Sequence, residues 1–222
     1  MMSLRPPPGF SITTARSGPS LQAKEAPREQ RPQFILGIDL GELRDYTALV
    51  VLEVKKGDPS TYDCRHLERI PLGAGYPEQV EYIAQLVKSL RAIGNVRIAV
   101  DATGVGRPVI EMLRPVVGRL NAITLTGGDA VTEGEDREYR APKRDVVAAT
   151  KVLLQCGRLR IAEALPLASV LVEELLAFEV RISPRGHDSY AAGRESEHDD
   201  LVLALALAVW LAEHGRRVRL LL

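Results

Sequence analysis

The chain has 222 residues, with 29 Lys+Arg against 29 Asp+Glu, 45% apolar residues and 26% charged ones. That length is one domain plus extensions, and the composition excludes a wholly disordered or fibrous chain. Zero net charge gives no global pull towards nucleic acid or anionic membrane, so any such partner must be met by a local patch.

Residues 1–33 hold Pro6, Pro7, Pro8, Pro19, Pro27 and Pro32 among few large apolar residues. Such a segment buries too little surface to offset its ordering entropy, which predicts a disordered, mildly basic leader or linker. It carries no apolar stretch of signal-peptide length. The folded domain is predicted over 34–214, followed by a basic-apolar tail over 215–222. FILGIDL (34–40), TALVVLEV (47–54) and TYDCRHLERI (61–70) read as three strands joined by hairpin turns, an antiparallel meander. PEQVEYIAQLVKSLRAI (77–93) places Val80, Ile83, Leu86, Val87 and Leu90 on one helical face. A strand at 96–102, a helix at 107–117 and a strand at 120–128 follow, an alternation that predicts parallel pairing by right-handed crossovers.

The charged stretch 127–141 lacks periodicity and is predicted as an unusually long loop. A helix at 142–157, a strand at 158–162, a helix at 166–180 and a hairpin at 181–193 come next. The last helix is predicted to start near Ser196 and to contain the longest apolar run, Leu201 to Ala212, which is too short to span a bilayer. Cys64 and Cys156 match neither a metal spacing nor a disulfide framework and read as reduced thiols. The expectation is a soluble cytoplasmic protein with no membrane partner.

Three carboxylate positions oppose local propensity. Asp39 and Asp101 each close an apolar strand, and Asp199-Asp200 opens an otherwise uncharged helix. Parallel neighbouring strands would set Asp39 and Asp101 side by side at their carboxyl ends, where open α/β sheets build sites. Like charges that close repel unless a cation intervenes, and oxygen donors without Cys or His suit Mg²⁺ or Mn²⁺. Each aspartate also has a plain structural reading, as a turn residue or a helix cap, and the residues alone leave both open. Their coincidence at one sheet edge favours the site.

In this order, GIDLG, VDATGVG and HDDLVLALALAVW resemble the nuclease domain of phage large terminase subunits, members of the RNase H-like superfamily. PKRDVVAATKVLL (142–154) is similar to the segment that follows their central loop. The resemblance covers roughly residues 34 to 213 and implies an α/β fold with a central mixed sheet and helices on both faces. It implies two-metal hydrolysis of DNA phosphodiester bonds with little sequence specificity, using Mg²⁺ or Mn²⁺. By position the ligands fall on Asp39, Asp101 and Asp200, with Asp199 supporting and Asp45 a further candidate. The expected inward stripe of the last helix, Leu203, Leu207 and Trp210, is the reason for preferring Asp200. His198 reads as solvent-facing or as orienting a carboxylate. Arg140, Lys143, Arg144, Arg181, Arg185 and Arg194 are candidate phosphate contacts on double-stranded DNA. The turn Thr103-Gly104-Val105-Gly106 reads as close backbone approach to the metals or DNA rather than a dinucleotide loop.

No GxxxxGK[ST] motor loop is present, so the implied partners include a separate terminase ATPase or a portal protein. Two other readings stand beside this one. The first is a catalytically inactive prophage remnant that binds DNA or protein; the second is an actin-like ATPase or sugar kinase, against which the chain length argues.

Overall fold

The computed structural model describes residues 31–41, 45–104, 106–181 and 199–220. Most of the leader and of the hairpin expected at 181–193, with His198, lies outside them. Within the described residues, eight strands form one mixed sheet: β1 (Gln33–Asp39), β2 (Thr47–Lys55), β3 (Thr61–Ile70), β4 (Asn95–Asp101), β5 (Asn121–Thr126), β6 (Thr132–Glu133), β7 (Glu138–Pro142) and β8 (Leu159–Ile161). Their spatial order is β6-β7-β5-β4-β1-β2-β3-β8. The meander β1-β2-β3 is antiparallel, and β4, β5 and β7 extend the sheet parallel to β1, as the alternation of strand and helix requires.

Among the described residues, five helices cover the sheet: α1 (Tyr76–Ile93), α2 (Gly106–Val117), α3 (Lys143–Gln155), α4 (Ala168–Arg181) and α5 (Asp200–Leu220). In the central strands both side-chain rows are apolar, so each face carries its own core. Leu36, Ile38, Leu49, Val51, Ile98 and Val100 pack under α1 and α2. Ile35, Ala48, Val50, Leu52 and Ala99 pack under α3, α4 and α5. The predicted face of α1 is the buried one, and Glu78 accepts the Gly75 amide at 3.3 Å to cap its start. Arg31 donates to the Arg91 and Ala92 carbonyls at the far end of α1, at 3.1 and 2.8 Å.

Two elements correct the expectations. The stretch 127–141 is not a long loop: β6, a single 3₁₀ turn and β7 extend the sheet there. Tyr139 and Ala141 supply what periodicity concealed. Ala141 is buried, and the Tyr139 ring meets Trp210 edge to face at 5.5 Å, so a mostly charged segment is held by alternate residues. The helical backbone of α5 also runs to Leu220, through most of the expected tail.

Helix α5 has no outward stripe, because every residue from Asp200 to Ala212 is buried. A helix apolar all round belongs inside a core. It can lie against the sheet because β1 offers Gly37: a Cβ there would overlap the carbonyl oxygen of Ala204 and stand 3.0 Å from the Ala208 Cβ. Among the described residues, no helix is long and apolar enough to cross a membrane.

Candidate active site

Side-chain alternation decides which face each strand-end carboxylate shares. Ile35 and Gly37 face α5, so Asp39, two residues further on, stands on that face too. Ala99 faces α5, and Asp101 follows it by two. The strands are parallel with Ile38 opposite Val100, so Asp39 and Asp101 are neighbours at the carboxyl edge. The turn after each is built tightly. Gly41 donates its amide to Thr47 Oγ1 at 3.0 Å, and a Cβ on Gly41 would overlap the carbonyls of Asp45 and Tyr46. Asp101 Oδ1 accepts the Thr103 amide at 2.7 Å, which aims its carboxylate back over the strand end. Gly104 in that turn has φ +65°, a left-handed conformation that glycine adopts without steric penalty.

The third contribution comes from the start of α5. Asp199 precedes the helix, and its carbonyl accepts the Leu203 amide at 2.9 Å. Its carboxylate, with side chain 33% exposed, lies 3.4 Å from Lys143 Nζ. Asp200 points elsewhere. Both its oxygens are held by the Arg69 guanidinium at 2.7 Å, and Arg69 also pairs with Glu174 of α4. Glu174 in turn accepts the Val202 amide at 3.2 Å.

Arg69 reaches this place because β3 carries a bulge. Val51 pairs with His66 and Leu52 with Cys64, leaving Arg65 as the extra residue. Tyr62 and Cys64 face α5 before the bulge and Leu67 after it, which turns Arg69 to the same face. The Arg69 guanidinium also lies 4.8 Å from the centre of the Tyr46 ring.

The electrostatics are unbalanced. Asp39 is pushed well above the ordinary carboxylate range, first by burial, then by the charges of Asp101, Asp199 and Asp200, with Lys143 partly offsetting them. Asp101 is raised by burial and by Asp199, and lowered by Thr103 and Lys143. Glu174 is pushed up to about 7 by burial and by Asp200, against the pull of Arg69. Among the described residues, two cationic side chains thus face five carboxylates. A set of crowded carboxylate oxygens fits a hard divalent cation in its donor chemistry. Among the described residues, however, no three Asp, Glu, His or Cys side chains stand together as a finished ligand cage.

The structure therefore gathers Asp39, Asp101, Asp199, Asp200 and Lys143 at one edge, with Asp200 engaged by Arg69. Asp45 is exposed in the β1–β2 turn. Arg144 pairs with Asp129 and lies 3.6 Å from Asp145, close to Lys143 in the chain. Arg140 is exposed between Tyr139 and Ala141 on β7, so alternation turns it away from the α5 face. Arg181 ends α4, and Arg185 and Arg194 lie outside the described residues. Arg69 and Glu174 were not singled out by sequence reasoning. Their signals were a phase slip in β3, where apolar spacing changes from two to three between Cys64 and Leu67, and a carboxylate three residues after Leu171 on the buried side of α4.

No protein-family model matches the sequence, and no curated protein does either. Solved structures do match. The large terminase nuclease of thermophilic phage G20c is 22% identical with a TM-score of 0.50, over 80% of this chain and 81% of that one. The human cytomegalovirus terminase nuclease domain, Mn soaked, is 14% identical with a TM-score of 0.53, over 88% and 90%. Another structure of the human cytomegalovirus terminase nuclease domain gives 13% identity and a TM-score of 0.51, over 86% and 88%. The chain has the RNase H-like fold of terminase nuclease domains.

Proposed function

We propose that the chain is a divalent-cation-dependent endonuclease that hydrolyses DNA phosphodiester bonds with little sequence preference. The observation that carries this reading is the row of Asp39 and Asp101 at the carboxyl ends of parallel β1 and β4, facing Asp199 at the start of α5. Bound Mg²⁺ or Mn²⁺ would lower the pKa of a bound water and neutralise charge at phosphorus. Asp39, Asp101 and Asp199 would hold the cations, and Asp200, already gripped by Arg69, would serve as anchor rather than ligand. The Thr103 amide keeps Asp101 oriented, and Lys143 offsets the surplus of negative charge. Lys143 and Arg144 lie on the rim where a DNA backbone would pass, and phosphate contacts there carry no sequence information.

The same oxygen donors suit the Mn used on the cytomegalovirus domain. The fold shared with terminase nuclease domains supports the nuclease part of this reading; double-stranded DNA as substrate, a cytoplasmic setting, and a separate ATPase or portal protein as partner are proposed with it. Incubating supercoiled plasmid with the purified protein in Mn²⁺, Mg²⁺ or EDTA tests the reading. Nicking should require a cation, with Mn²⁺ at least as effective as Mg²⁺, whose geometry is stricter. No nicking with either ion favours a non-cutting DNA- or protein-binding module; activity in EDTA excludes the metal mechanism.

A further inference from the structure

We propose that Arg69 is a positioning residue: by gripping Asp200 and Glu174 it fixes the first turn of α5 and so presents Asp199 to Asp39 and Asp101. What Asp199 is presented for rests on the nuclease reading; the anchoring does not. Three elements meet in the Arg69 fork. The guanidinium leaves β3, takes both oxygens of Asp200 on α5 at 2.7 Å, and pairs with Glu174 on α4. The second oxygen of Glu174 receives the Val202 amide, so the network ends on the helix backbone one turn from Asp199. All three side chains are largely enclosed, at 16%, 6% and 9% exposure for Arg69, Glu174 and Asp200.

The location of the network separates positioning from general stability. The body of α5 is fixed by burial on every side through Ala212, and at the next residue by Glu213, which Arg158 and the Tyr62 hydroxyl hold. Those contacts hold the helix in the core without Arg69. The end that carries Asp199 is the end the ion network grips, and there a helix otherwise frays with its first amides unpaired. A planar fork sets direction as well as distance, which a lysine ammonium does not.

Two readouts on the full chain test this: Mn²⁺ binding, from the spin-resonance signal of the free ion, and amide hydrogen exchange at Val202 and Leu203. The variants are Arg69→Met, Arg69→Lys, and Leu113→Ala as a control for general loss of stability, since Leu113 is buried on the opposite face. Arg69→Met should speed exchange in the first turn of α5 and weaken Mn²⁺ binding by about tenfold or more, the range seen when a ligand's supporting partner is lost. Arg69→Lys, which keeps the charge but loses the fork, should move both readouts in the same direction. Leu113→Ala should leave both as in wild type. Wild-type Mn²⁺ binding by both Arg69 variants, or an equal loss in Leu113→Ala, overturns the proposal. If the wild type itself binds no Mn²⁺, the metal reading fails and exchange decides alone: unchanged exchange in the Arg69 variants overturns the anchoring, and faster exchange supports it.

Discussion

Asp39 and Asp101 share a sheet edge and face, and their folded-state charges oppose one another. Asp39→Asn removes one charge with little change of shape. It should lower Mn²⁺-dependent nicking by more than the roughly 10–100-fold typical of losing an outer partner of a metal ligand. In EDTA the same variant should melt no lower than wild type, because repulsion is relieved. A thermal scan beside a nicking time course checks both. Unfolding of Asp39→Asn would make the residue a structural turn aspartate. Asp199 and Asp200 differ more sharply. Asp199→Asn should weaken Mn²⁺ binding by about tenfold or more and leave stability nearly unchanged. Asp200→Asn should instead destabilise by about 2 kcal/mol, the scale of a hydrogen bond to a charged group, because it weakens the Arg69 pair. Urea titrations and Mn²⁺ titrations of the two variants separate the roles, and the reverse pattern would return Asp200 to the ligand set. Sequence phase alone pointed to Asp200. It is indeed the inward residue, but the bulge in β3 places a guanidinium where it points.

At the scale of elements, the long-period signals were legible and the short, context-dependent ones were not. Strands β1, β2 and β4 announce themselves as largely apolar runs, β3 by rough alternation and helix α1 by apolar residues at the helix period. Strands β6 and β7, at one end of the sheet, do not, since a two-residue and a five-residue strand carry too few inward positions to show a period. Helix α5 is legible from Leu and Ala, but the expected inward stripe of Leu203, Leu207 and Trp210 does not stand out, because a helix buried all round has no polar face opposite it. The acidic row was legible because aspartate at the end of an apolar strand opposes propensity. Arg69 and Glu174 were not, since a charge on β3 or α4 reads equally well as a surface residue. A close contact that also rests on a single residue is Gly37 beneath Ala204 and Ala208. Gly37→Ala should cost about 3 kcal/mol in a urea titration, the upper range for overpacking, because the obstacle is helix backbone rather than a movable side chain. A loss below about 0.5 kcal/mol would show that α5 is free to shift away from β1.

At the scale of the whole molecule, the charged edge makes stability depend on pH and metal together. Asp39, Asp101 and Glu174 bind protons more tightly folded than unfolded, the last up to about 7. Their raised values favour the folded state below the ordinary carboxylate range, and that advantage is lost as pH rises through the raised values. In EDTA, Tm should therefore fall between about pH 5 and about pH 8, and the gain in Tm on adding Mn²⁺ should grow over the same interval as protons cease to compete. A Tm that rises across that interval in EDTA would contradict the sign of these shifts. On the proposed function, this acidic edge cuts DNA with the help of a divalent cation. Its most direct test is the nicking rate of supercoiled plasmid by wild type and Asp39→Asn, side by side in Mn²⁺ and in EDTA. Wild type should give open-circular product in Mn²⁺ alone. Equal nicking by Asp39→Asn, or no nicking by folded wild type at any Mn²⁺ concentration, would contradict it.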